Sequence, residues 1–160
     1  MGLDNIPKPH PCEVLGTTIR TEDGKIDCQK VIDAGNCEFA KSSNPVRIFG
    51  ACCWFRGKVL VGELEAIGYP DISFLFEKMR SKELLEKADE LEKFLEQFKQ
   101  LHDSDKEKVK GAGWDGRFAE NGETHWQHYS TYEEIVDTIE KGIRWLRRIG
   151  ELGYKVIAWY

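Results

Sequence analysis

The stretch that decides the fold is ELLEKADELEKFLEQF, residues 83–98. Leu84, Ala88, Leu91, Leu95 and Phe98 recur at alternating spacings of four and three, which puts them on one stripe of a helix. Glu83 with Lys87, and Asp89 with Lys93, stand at i,i+4 on the other sides, where each opposite-charge pair adds roughly 0.2–0.5 kcal/mol. The stripe runs for too few repeats to make a dedicated coiled coil, and its length suits packing against a second helix inside one domain.

That second helix is legible further on. Ser130-Thr131-Tyr132-Glu133 reads as a capping box in which Ser130 and Glu133 satisfy each other's backbone donors. Ile135, Ile139, Ile143, Leu146 and Ile149 then form a buried face, with Trp145 at its border. Gly150 or Gly153 ends the helix, and Lys155-Val156-Ile157-Ala158-Trp159-Tyr160 has the composition of a closing strand.

Towards the N-terminus the pattern changes. Pro7, Pro9 and Pro11 stiffen residues 1–15 into an extended arm, because each lacks a backbone donor and biases its predecessor away from helix. Residues 17–21 and 25–28 flank Glu22-Asp23-Gly24, a hairpin turn signal. Residues 29–34 fit one helical turn stopped by Gly35-Asn36, which leaves Cys37 on a turn. Residues 46–55 and 58–61, separated by Arg56-Gly57, are rich in strand formers and predict a second hairpin. The expectation is an α+β fold, with a small antiparallel or mixed sheet of N-terminal hairpins plus the C-terminal strand packed with two long helices. One domain spans residues 1–160, with a cysteine-containing β-rich part over 1–62 and a mainly helical part with the closing strand over 70–160.

Composition narrows the function classes. A hydrophobic fraction of 41% beside 32% charged residues describes a chain that folds. A net charge of -5 weighs against a dedicated nucleic-acid binder, which draws its affinity from neutralising phosphates. Residues 1–15 contain no apolar run of the secretory type, and no segment downstream is long enough to span a bilayer, so a cytoplasmic protein without membrane contact is expected.

All five cysteines lie between Cys12 and Cys53. Short loops beside turns can bring thiolates together for zinc, which takes them tetrahedrally at about 2.3 Å. The candidate ligands are Cys12, Cys28, Cys37 and Cys53, with Cys52 and His10 in reserve, because neighbouring Cys52 and Cys53 point to opposite faces of a strand. The spacing C-x15-C-x8-C-x15-C lacks the C-x2-C pairs of zinc ribbons, so buried thiols and, in an oxidising setting, disulfides stay open as readings.

Other motifs carry less. Gly111 to Gly116 contains a literal G-x-G-x-x-G, but a charged helix tail precedes it and a polar loop follows, the wrong context for a dinucleotide. His125 and His128 could serve Cys52 or Cys53 in a thiol-dependent enzyme. Lys141, Arg144 and Arg148, with Arg56 and Lys58, could form a cationic binding surface. The first expectation is a zinc-stabilised interaction or accessory protein with a macromolecular partner, protein ahead of nucleic acid. The alternatives are the thiol enzyme and nucleic-acid binding through the last helix.

Overall fold

The computed structural model describes residues 3–16, 18–40, 53–113 and 129–159. Its backbone is an antiparallel helix pair with a two-stranded sheet beside it. Helix α1 (Pro11–Leu15) follows strand β1 (Asp4–Lys8), then come α2 (Cys28–Asp33), α3 (Gly57–Ala66), α4 (Ser81–Lys99), the short α5 (Asp103–Lys106), α6 (Tyr132–Glu151) and strand β2 (Lys155–Trp159). This is the expected α+β architecture, with two long helices and a small antiparallel sheet. Among the described residues no helix is long and apolar enough to cross a membrane.

The periodicity of residues 83–98 is realised in α4, where Leu84, Ala88, Leu91 and Leu95 are buried. They face Ile135, Ile139, Ile143, Leu146 and Ile149 of α6, and α3 packs on α6 through Leu60 and Leu64. Two glycines of α6 set these approaches. A Cβ on Gly142 would come within 2.8 Å of Leu60, and one on Gly150 within 2.8 Å of Leu85, so any side chain there would push α3 or α4 away. Burying each large aliphatic side chain contributes about 1.5–3 kcal/mol, which makes this three-helix contact the main source of stability.

Several expectations need correction. The closing strand β2 does not join a sheet built from residues 17–62; it pairs antiparallel with the proline-bearing arm, from Asp4↔Trp159 to Lys8↔Lys155. Proline is tolerated there because Pro7 lies in an outer strand of a two-stranded sheet. Residues 58–61 are not a strand but part of α3, because Leu60, Val61 and Leu64 together make a helical face that α6 buries, and tertiary contact outweighs the strand preference of valine. The other half of that expected hairpin, residues 46–52, lies outside the described residues, while Phe55 makes a single bridge to Asn5. The turn at Asp23-Gly24 forms as expected, with one bridge, Arg20↔Ile26, and Gly24 at φ 81.

Smaller shifts follow from packing. The capping box of α6 is built one residue later than expected, from Thr131 and Glu134. Ser130 is instead buried, its hydroxyl donating to Glu63 Oε1 of α3. Lys87 does not pair with Glu83; it bonds Asp71 at 2.8 Å and Glu90 at 2.7 Å, while Glu83 accepts the Arg80 N–H at the start of α4. Trp145 sits at 0% exposure rather than at the border of its helix.

Candidate thiol and histidine site

His10 stands at the N-cap of α1, directly before Pro11, whose missing N–H costs nothing at a helix start. Its ring Nδ1 accepts the Cys12 N–H at 3.2 Å. With Nδ1 an acceptor, Nε2 bears the proton, and it points at two sulfurs, Cys28 Sγ at 3.3 Å and Cys53 Sγ at 3.5 Å. Three separate chain segments therefore converge on one imidazole edge.

Each sulfur is placed by its own local structure. Asp27 caps α2 by accepting the Lys30 N–H at 3.1 Å, which makes Cys28 the first residue of that helix and leaves it half-buried. Cys53 is 1% exposed. Its carbonyl accepts the indole N–H of Trp145 at 2.9 Å, and Phe55 stacks on the same indole with ring centres 5.3 Å apart. Phe55 also exchanges both backbone hydrogen bonds with Asn5 of β1. The histidine side is thereby tied to the sheet, and the Cys53 side to the central helix.

The electrostatics follow from this crowding. Burial by itself lowers the His10 pKa, but the hydrogen bonds to Cys28 and Cys53, reinforced by the charge on those sulfurs, push it up to about 10. Opposing that push, a second proton would turn Nδ1 into a donor and give up its bond from the Cys12 N–H, so the geometry is that of a neutral ring donating from Nε2.

The remaining candidates divide. Cys12 and Cys37 are both buried, and none of Cys12, Cys28, Cys37 and Cys53 is in a disulfide. Cys12 lies near Tyr154, whose phenol is held above its ordinary value by burial first, with the charges of Glu13 and Cys12 adding and that of Arg148 opposing. Cys52, His125 and His128 lie outside the described residues, as does the second half of the Gly111 to Gly116 motif. Among the described residues no group of three or more His, Cys, Asp or Glu forms a closed metal-binding set. The His10 tautomer agrees with this, because an imidazole that ligates through Nε2 needs its proton on Nδ1. His10, a reserve ligand by sequence, is the hub of the site in a different role. The signal that could have marked it is His-Pro at a helix start, where the ring is fixed by its own cap.

The cationic surface is only partly available. Arg148 bonds Glu38 at 2.8 Å, Lys141 bonds Asp137 at 2.5 Å, and Arg147 bonds Asp89 at 2.8 Å and Glu92 at 3.1 Å. Arg144 and Lys58 are exposed, and Arg56 is half-buried. A cleft of about 510 Å³ lies at the other end of the helix pair, lined among the described residues by Asp103, Lys106, Glu107, Val109, Thr131, Tyr132 and Glu133. No protein-family model matches the sequence, and no curated protein or solved structure is similar enough to the chain to identify a relative.

Proposed function

We propose that the chain is a non-enzymatic interaction or accessory domain whose cysteine-bearing third is braced by a zinc ion. Cys12, Cys28, Cys37 and Cys53 would supply four thiolates, with Cys52 in reserve, and His10 donates N–H···S hydrogen bonds to Cys28 and Cys53. The observation that supports this is the single imidazole edge lying 3.3 Å and 3.5 Å from two sulfurs of distant segments, one of them 1% exposed. A thiolate buried that far from water needs positive charge beside it. A zinc ion supplies that charge, and donors in the outer shell orient its ligands. A site closed by thiolates leaves no position for water or substrate, which favours a structural role.

Elemental mass spectrometry on native protein tests this. Zinc at about one ion per chain, lost in both Cys28→Ser and Cys53→Ser and kept at weaker affinity in His10→Ala, is the expected result. Metal-free protein whose thiols titrate without denaturation would overturn it.

A second reading has its own observation. Cys28 is half-buried rather than sealed and lies 3.3 Å from His10 Nε2, the arrangement of an activated thiol. In that case the enzyme would use Cys28 with His10 in place of Cys52 or Cys53 with His125 or His128. Fast, selective alkylation of Cys28 by iodoacetamide at neutral pH, abolished in His10→Ala, would favour it. Nucleic-acid binding through α6 is less supported, since Arg148 and Lys141 are already paired with carboxylates. That reading predicts steep salt dependence and loss of binding in Arg144→Ala with Arg148→Ala.

A further inference from the structure

The β1–β2 sheet has one face turned to the core and one turned outward. Asn5, Pro7 and Val156 are buried, so the alternate residues Asp4, Ile6 and Lys8 of β1, with Trp159, Ile157 and Lys155 opposite them on β2, form the outer face. Trp159 is 63% exposed, the largest exposure among the large hydrophobic residues described. Beside it Ile6 and Ile157 are directly opposed and half-buried, which makes a continuous apolar strip.

One end of that strip is electrostatically unsatisfied. Lys8 and Lys155 stand directly opposite each other and are both exposed. Like charges in that position destabilise a sheet, and neither lysine has an acidic partner among the described residues. What sets the pair apart is its direct cross-strand opposition; Lys87, Lys99, Lys141, Arg147 and Arg148 each hold a carboxylate. The lysine pair at one end of the apolar strip, with Asp4 and Trp159 at the other, suits an occupant that brings negative charge to the lysine end only.

We infer that this outer face docks a short peptide segment of another protein, carrying a bulky apolar residue for the Trp159–Ile157–Ile6 strip and carboxylates for Lys8 and Lys155. The occupant lies across the face and does not extend the sheet, because bridges from Phe55 to Asn5 and from Met79 to Val156 already occupy the outer edges of both strands. Six side chains are too few for the roughly 800 Å² per partner that a stable dimer buries, which disfavours a second copy of this chain. Two lysines on a protein of net charge -5 are a poor match for a long polyanion but sufficient for two carboxylates. This identification rests on the interaction-domain half of the proposed function and is independent of zinc; metal analysis and peptide titration read the two separately.

The test is fluorescence anisotropy with a fluorescein-labelled peptide Glu-Asp-Leu-Phe-Asp-Glu, using protein of known metal content. Saturable binding is expected, weakened about tenfold or more by Lys8→Glu with Lys155→Glu and by Trp159→Ala, two surface variants whose thermal transitions should match the parent. The charge-reversed peptide Lys-Lys-Leu-Phe-Lys-Lys should bind the double variant better than the parent. No binding up to about 1 mM peptide, or equal binding by parent and double variant, overturns the proposal. So does tighter, steeply salt-dependent binding of a thymidine 20-mer, which would assign the face to single-stranded nucleic acid. Self-association abolished by Trp159→Ala would likewise overturn it in favour of a second copy.

Discussion

Helices α4 and α6, of 19 and 20 residues, meet through apolar side chains that recur on every turn. Around Cys12 and Cys28 the helices are of five and six residues, and α2 buries a single hydrophobic residue, Val31. Short elements bury too little apolar surface to offset the entropy of ordering them, so their geometry has to come from specific polar contacts. The helix pair needs only the right size and hydrophobicity at each position. The cysteine segments need particular atoms: an imidazole edge, two sulfurs, an indole N–H.

That contrast can be broken most directly in the helix pair. Leu91 is 0% exposed, and Leu91→Ala should cost about 2–5 kcal/mol in urea unfolding. A loss below about 1 kcal/mol would mean that the pair is not the main support. In the other region a zinc chelator should sharpen the difference. Hydrogen exchange should speed up around residues 10–15 and 28–37 while the amides of α4 and α6 stay protected, whereas uniform deprotection would place the whole fold under the control of the metal.

A third prediction probes the seam between α3 and the start of α6. Glu63 is 4% exposed, accepts from the Ser130 hydroxyl and from the Ala112 N–H at 3.2 Å, and so fixes the chain where it leaves residue 113 and returns at 129. Glu63→Ala should cost about 1–3 kcal/mol, chiefly by leaving the buried Ser130 hydroxyl without its acceptor. Thr131→Ala should cost about 1 kcal/mol through loss of the N-cap, while Glu133→Ala should be close to neutral; the reverse ranking would restore the cap to Ser130 and Glu133.

The smallest effect lies on the surface of α4. The Asp71 carboxyl, hydrogen-bonded first by Lys87 and then by Ser73, is held below its ordinary value of 3.8. A depressed carboxyl contributes stability that is complete above its unfolded value and fades as pH falls through its folded one. Asp71→Asn should therefore cost no more than about 0.5 kcal/mol at neutral pH, and the difference between the two proteins should shrink in acid. A cost that grows as pH falls would contradict the assigned ion pair.

The same contrast explains what could be read beforehand. The stripe from Leu84 to Phe98 and the isoleucines of α6 were legible because burial repeats with the period of the backbone. The cap at Thr131 was misplaced by one residue because Ser130 and Thr131 are equally good caps, and only Glu63, far away in sequence, decides between them. Residues 58–61 look like a strand because valine suits one, and nothing local announces that α6 will cover Leu60 and Leu64. The pairing of Cys28 and Cys53 with His10 left only a faint trace, since it depends on where Trp145 holds the Cys53 carbonyl.

The pairing of β1 with β2 also sets an order of events. Asp4 and Trp159 are cross-strand partners, so the sheet cannot close until nearly all of the sequence between them is available. The same holds for Cys53, whose carbonyl waits for the indole of Trp145. During synthesis on the ribosome Cys53 therefore emerges well before the helix that shelters it, and Cys12 well before Tyr154. A nascent chain of this protein passes through a stage in which its thiols are open to oxidants and stray metal ions, and the speed with which α6 arrives limits how long that exposure lasts.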